Sequence, residues 1–335
     1  MPSWGDTLLE VNQAMTEGRS DALDFVRRKY IVQLYQKTNR AVISYSTRWV
    51  QPFPGLDPQL LSLTIADIQG LMEVMKGVKE DCVDLILHSP GGALDATEPF
   101  VTYLRTKFRH VRVIVPHAAM SAAAMISCSA DEIVMGKHSF LGPIDPQFVL
   151  QTAVGTRMVP AQAIIEQFKM AQRECAADPS KLSSWISMLN QYGPDLLIQC
   201  QNASDLSKTL VQDWLGKYMF PGNVVVAKQI ASWLSTHDNF KTHSRYLSRD
   251  KLEQQGLKII KLEEDQELQD LVLSIHHTTT HTFNNSPTAK IIENHLGKAV
   301  IQHAGQPTVN LPLNMQAMIF EGLLNQQGNP PTPRD

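Results

Sequence analysis

Through the middle of the chain, short apolar runs closed by Gly and Pro alternate with helix-length amphipathic segments. Val83–Leu87 is an apolar run that stops at His88-Ser89-Pro90-Gly91-Gly92, as a buried strand ending in a loop does. The helix-length segment Ala93–Phe108 follows, then a second apolar run, Val111–Val115, closed by Pro116. Ser121 opens the small-residue stretch Ser121–Ala130, which reads as a tightly packed helix. A third short strand, Glu132–Met135, leads to Gly136 and on to Leu141-Gly142-Pro143-Ile144-Asp145-Pro146-Gln147. Strands and helices alternating with short joins predict a right-handed βαβ system and a largely parallel sheet.

The flanking pattern is mostly helical. Asp6–Thr16 and Ser20–Tyr35 have the periodicity of helices, with Ser20 placed as an N-cap. Ala41–Trp49 alternates as a first strand would, Gln51–Gly55 is a loop, and Ile65–Val78 is an amphipathic helix. Beyond Gln147 an irregular stretch runs to Pro160. Helices are then expected over Ala161–Cys175, Lys181–Leu189, Asp195–Trp214, Asn223–His237, Ser248–Gly256 and Leu268–Thr278, and Ala299–His303 as a final strand or arm. This divides the chain into an N-terminal helical segment (1–38), an α/β core (39–150), a helical extension completing the core (151–303) and a Pro-rich polar tail (326–335) expected to be disordered.

Composition narrows the classes. Hydrophobic content of 43% and charged content of 19% are ordinary for a soluble globular protein, and 335 residues suit one large domain with an extension. A net charge of −3 gives no basis for a nucleic-acid partner or an anionic membrane surface. Cys82, Cys128, Cys175 and Cys200 lack metal or redox spacing and read as reduced thiols of a cytoplasmic protein. No run approaches the ~20 apolar residues of a membrane helix, and the first residues lack a signal-peptide pattern, so no membrane insertion is expected.

In open α/β sheets the working site lies outside the carboxyl ends of the strands. Gly91-Gly92 follows one strand and Ser121 the next, so both can face one crevice. Glycines leave backbone N–H groups unshielded, which suits an oxyanion, and a serine opening a helix adds that helix's amides. This is the outline of an acyl-transfer site.

The pattern D-L-I-L-H-S-P-G-G, then M-S-A-A-A-M, then G-P-I-D-P-Q resembles the Clp-type serine peptidases of the Clp/crotonase superfamily. Within them it is most similar to the signal peptide peptidase A group and its relatives, the serine dehydrogenase proteinases. Pro160–Ile165, His276–Phe283 (HHTTTHTF) and Lys290–Gly297 (KIIENHLG) extend the resemblance over most of residues 40–303. The resemblance implies a Clp/crotonase-like fold: repeated ββα units, a largely parallel sheet and a helical C-terminal extension. It also implies a homo-oligomer, no cofactor, and Ser121 as nucleophile, with the N–H groups of Gly92 (or Gly91) and Ala122 as oxyanion donors. Ala122-Ala123-Ala124 stands where relatives commonly have glycine.

The base is open. Clp-type peptidases place a histidine on the strand after the nucleophile's helix, where this chain has Asp145 and none. Signal peptide peptidases use a lysine farther along, and Lys169 and Lys181 lie at about the right distance. A lysine base must be desolvated to be neutral near pH 7. His138 is nearer in sequence, and Asp145 is placed to orient a base. His88, just before the SPGG motif, and His277 and His281, four apart on a helical face, are candidate site-lining residues; a metal role for the pair and His295 lacks a supporting motif. The expectation is a serine peptidase acting on peptide or protein substrates through an acyl-enzyme, with a Ser–Lys dyad preferred. The alternative is a non-catalytic crotonase-fold scaffold or assembly subunit; acyl-CoA chemistry on the same fold would need a nucleotide-binding rim that the sequence does not display.

Overall fold

The computed structural model describes residues 3–305 except 52, 153–154 and 191. Helices α1 (Trp4–Thr16) and α2 (Ala22–Thr38) precede strand β1 (Ala41–Thr47). Ser3 caps α1 in a capping box with Asp6, and Asn39, in the left-handed conformation, ends α2. Then come α3 (Asp67–Met75), β2 (Cys82–His88), α4 (Leu94–Lys107), β3 (His110–Val115), the two-residue strand β4 (Ala118–Ala119), α5 (Ala122–Cys128) and β5 (Glu132–Met135).

The strands β1, β2, β3 and β5 pair in parallel and in register. Their period-2 alternation is legible on both faces, because both are covered. Ile43, Leu85, Val113 and Ile133 point into one apolar layer under α3, α4 and α5. Val42, Ile86, Ile114 and Val134 point into the other, under α2 and the long late helix Gln266–Asn285. Burial on two faces explains why the strands read as continuous apolar runs.

The second half returns to the same sheet. After β6 (Phe140–Leu141) the chain forms a hairpin, β7 (Gln147–Thr152) with β8 (Gly155–Pro160). The stretch read from sequence as irregular is therefore paired. Phe148, Leu150 and Val159 pack partly against the helices Ala161–Ala177 and Leu196–Trp214, while Val149 and Met158 are exposed; none of the hairpin's described residues is fully buried, so the contrast between its faces is weak. Helices α6 (Ala161–Ala177), α7 (Leu182–Leu189), α8 (Leu196–Trp214) and α9 (Val224–Ser235) follow, with α8 and α9 contributing to the layer under α5. Then come β9 (Leu247–Ser248), α10 (Arg249–Gln254), β10 (Ile259–Lys261) and α11 (Gln266–Asn285). The antiparallel pair β11 (Thr288–Asn294) and β12 (Ala299–His303) completes a seven-stranded sheet, ordered β10-β5-β3-β2-β1-β11-β12.

Helix α11 runs past the expected end at Thr278. Thr278, Thr279, Thr280 and Thr282 each donate their hydroxyl to the carbonyl four residues back, so these buried hydroxyls are satisfied within the helix. The tail at 326–335 lies outside the described residues.

Candidate active site

Three segments meet at the carboxyl ends of β2 and β3. The Ser89 N–H donates to the Ala118 carbonyl (3.2 Å), and the Met120 N–H donates back to the Ser89 carbonyl (2.9 Å). The turn after β2 is thereby fixed beside the residue preceding Ser121. Leu63 lies along its other side, donating to the Gly91 carbonyl (2.7 Å) and accepting from the Ala93 N–H (2.9 Å). Gly91 has φ +94°, and a Cβ there would stand 2.5 Å from the Met120 carbonyl oxygen and 2.7 Å from the Ala122 nitrogen. A Cβ on Gly92 would collide with the Leu63 backbone. Both glycines are required by close approach.

Ser121 has φ +49° and ψ −120°. A non-glycine residue held there costs of the order of 1–3 kcal/mol, and such strain persists where surrounding bonds impose it. The Ser89–Met120 pairing before it and the Ala123 N–H to Met120 carbonyl bond (2.9 Å) after it impose the turn. Neither the Gly92 nor the Ala122 N–H donates to another described residue, whereas the Gly91 N–H is taken up by the Ser89 hydroxyl at 3.1 Å.

Asp145 is 2% exposed and sits between two imidazoles. His243 Nδ1 is 2.8 Å from one carboxylate oxygen and His237 Nδ1 is 2.8 Å from the other. A carboxylate only accepts, so both contacts place the ring proton on Nδ1 and leave Nε2 of a neutral ring as a base. His243 and Ser121 line one cavity of about 510 Å³, walled by Leu63, Leu94, Met125 and Ile144 and floored by Gly91 and Gly92. A second cavity, about 610 Å³, shares Pro90, Gln147, Met158 and His243 with the first and extends toward Trp49 and Tyr246.

The other residues singled out from sequence lie elsewhere. Lys169 is exposed on α6 and paired with Glu166 (3.0 Å); Lys181 is also exposed, 3.7 Å from Glu174. Neither lines the cavity. His138 is exposed on the turn after β5. His88 points to the α11 face, packed with His117 and His276 and beside Trp49. Its Nδ1 donates to the Ala118 carbonyl, its Nε2 is buried without a partner among the described residues, and burial together with the charge of His117 pushes the imidazole's pKa down to about 3. His277 and His281 share one face of α11 against Trp4, where His281 contacts the Trp4 carbonyl (3.1 Å) and the Thr7 hydroxyl (3.2 Å). They anchor α1. Among the described residues no three His, Cys, Asp or Glu side chains are placed to hold a metal ion.

His243 and His237 were not anticipated. They sit in and after the loop that follows α9, far from Ser121 in sequence, in a stretch (STHDNFKTH) without motif spacing. The sequence carries one indirect trace of them, Asp145 between Pro143 and Pro146, a carboxylate that the fold must supply with a donor once it is buried.

A family model described as ClpP-like SDH-type serine proteinase matches residues 13–184. The chain belongs to this family. The matched span carries Gly91, Gly92, Ser121 and Asp145; His237 and His243 lie beyond it. Two uncharacterized proteins of Methanocaldococcus jannaschii are similar. One is 29% identical over 227 residues, covering 64% of this chain and 75% of that protein. The other is 33% identical over 134 residues, covering 40% and 43%. Among solved structures, a mutant of the 1510-N membrane-bound stomatin-specific protease aligns at 14% identity with a TM-score of 0.36, over 60% of this chain and 75% of that one. Another mutant of that protease, in complex with a substrate peptide, aligns at 16% with a TM-score of 0.32, over 54% and 62%. Among the described residues, no helix is long and apolar enough to cross a membrane.

Proposed function

We propose that the protein is a serine peptidase that hydrolyses peptide bonds through an acyl-enzyme on Ser121, with His243 as general base and Asp145 orienting it. His243 Nε2 takes the Ser121 hydroxyl proton as Oγ attacks the scissile carbonyl carbon. The Gly92 and Ala122 N–H groups hold the resulting oxyanion. The imidazolium returns its proton to the leaving amine, the C–N bond breaks, and water, deprotonated by His243, releases the acyl group. Each oxyanion donor of this kind is worth ~3 kcal/mol in the transition state, and a positioned base ~10²–10⁴-fold in rate.

The observation that carries this reading is the 2.8 Å contact of His243 Nδ1 with buried Asp145 on the cavity that Ser121 also lines. What supports His243 over Lys169 and Lys181 is that both lysine ammonium groups are exposed and paired with glutamates. A lysine base would have to be desolvated and free. The cavity walls favour an apolar side chain next to the scissile bond. The four free cysteines fit the proposed cytoplasmic location. The proposed homo-oligomer would cover exposed apolar side chains such as Val149, Met158, Ile186 and Ile198.

Cleavage of an unstructured protein such as casein, followed by mass spectrometry of the products, tests the reading. Cleavage by the wild-type chain, abolished in Ser121→Ala and in His243→Ala, is expected. Cleavage that persists in folded Ser121→Ala overturns the assignment of the nucleophile. A folded wild type that cleaves nothing and acylates nothing favours the scaffold alternative.

A further inference from the structure

The sheet buries one lysine that the proposed reaction does not use. Lys290, on β11, is 1% exposed, and its Nζ lies 2.8 Å from both oxygens of Asp67, which is itself fully buried. The same ammonium donates to the Ser62 carbonyl at 2.9 Å. Asp67 Oδ2 accepts from the Tyr45 hydroxyl and from the Thr64 N–H, each at 2.9 Å. Ser62 and Thr64 flank Leu63, so the backbone on both sides of Leu63 is tied to one buried ion pair.

Leu63 is the residue that brackets the glycine turn, through its bonds to Gly91 and Ala93. Its backbone also occupies the space that a Cβ on Gly92 would need. An unbroken chain of contacts therefore runs from Lys290 and Asp67 through Ser62–Thr64 to the Gly91 carbonyl, in the same peptide group as the Gly92 N–H. Neither Lys290 nor Asp67 lines the cavity. A buried ion pair is a poor way to gain stability, because desolvation offsets its attraction and an apolar pair of similar volume is often as stable or more so. A role in aiming the backbone accounts for it better.

We propose that the Lys290–Asp67 pair is a positioning device for the oxyanion hole, holding Leu63 against the glycine turn so that the Gly92 N–H points into the cavity. The inference rests on the serine-peptidase reading for its catalytic consequence, but not for its structural one. Lys290 and Asp67 are positioning residues; they touch neither substrate nor the reacting atoms.

The test uses the full-length double variant Lys290→Met/Asp67→Leu, which removes both charges together and leaves no buried ion unpaired. Two readouts are needed: hydrogen–deuterium exchange over residues 60–66 and 90–94, and the saturable rate of labelling by a fluorophosphonate. The expected result is a folded protein with unchanged exchange elsewhere, faster exchange in those two segments, and a maximal labelling rate lower by ~10–100-fold, at or below the ~10²–10³-fold that outright loss of an oxyanion donor costs. The reagent concentration at half-maximal rate should change by less than about twofold, since ground-state binding does not use the hole. Unchanged exchange in both segments overturns the proposal, as does a labelling rate that falls only in proportion to lost folded protein. If the wild-type chain itself is not labelled, the peptidase reading fails, while the exchange result still decides whether the pair holds the turn. Should the double variant not fold, Lys290→Arg decides by the same two readouts: it keeps the Asp67 pair, and the proposal requires exchange of 90–94 and labelling to move together.

Discussion

Replacing Asp145 by asparagine is the most informative single change. The carboxylate is buried and accepts from two imidazoles at once, one per oxygen. An asparagine of the same shape offers one oxygen and one NH₂, so only one ring can keep its Nδ1–H. If the NH₂ faces His243, that ring must carry its proton on Nε2, the nitrogen that has to accept the serine proton. If the oxygen faces His243 instead, the tautomer survives but the charge opposite the imidazolium is gone. A hydrogen bond to a charged group is worth about 1.5–3 kcal/mol, or roughly 10–150-fold in rate. The wrong tautomer costs more, up to ~10⁴-fold in serine enzymes with this arrangement. The expected outcome is a fall of at least ~10-fold and up to ~10⁴-fold in the maximal rate of serine acylation, with half-saturation little changed. The assay is time-resolved intact mass after fluorophosphonate addition, with circular dichroism to confirm the fold. A folded Asp145→Asn chain acylating within threefold of wild type refutes the role given to Asp145 and, with it, to His243.

Further changes test other parts of the account. Gly92→Ala forces a Cβ against the Leu63 backbone; acylation should drop ~100-fold or more, and a crystal structure should show Leu63 displaced. Lys169→Ala and Lys181→Ala should each acylate within about twofold of wild type, since surface ion pairs contribute ~0–1 kcal/mol; a ~100-fold loss in either would restore the lysine dyad. His88 stays neutral in the fold down to about 3, against an ordinary value near 6.5. The unfolded chain therefore binds its proton first, and stability present above pH 6.5 is lost as pH falls toward 3. Thermal melts from pH 7 to 4 should show this loss, and His88→Phe should flatten it; an unchanged slope would dismiss His88 as the source.

The parts of the fold that were legible have one physical cause. Strands β2, β3 and β5 are buried on both faces and bounded by Pro or Gly, so run length and punctuation both reveal them. Strand β11 hides for the opposite reason. All seven of its residues are buried, yet Lys290, Glu293 and Asn294 interrupt its apolar pattern because tertiary partners satisfy them. The β7–β8 hairpin hides because none of its described residues is fully buried, which weakens the contrast between its two faces. At the site, the glycines and Ser121 carry local constraints that leave a local trace: a close approach, a strained turn. His243 carries none. It reaches Asp145 only through the packing of α9, where the Ile144 N–H donates to the Leu234 carbonyl (3.0 Å), and no spacing rule connects a loop histidine to a serine so far upstream.

The central claim is that Ser121 is activated by His243. Intact mass spectrometry of fluorophosphonate-treated protein tests it most directly, comparing wild type with Ser121→Ala and His243→Ala. The account predicts one adduct on the wild-type chain, none on Ser121→Ala, and labelling slowed by ~10²–10⁴-fold on His243→Ala. An adduct that forms at the wild-type rate on a folded His243→Ala chain would contradict it.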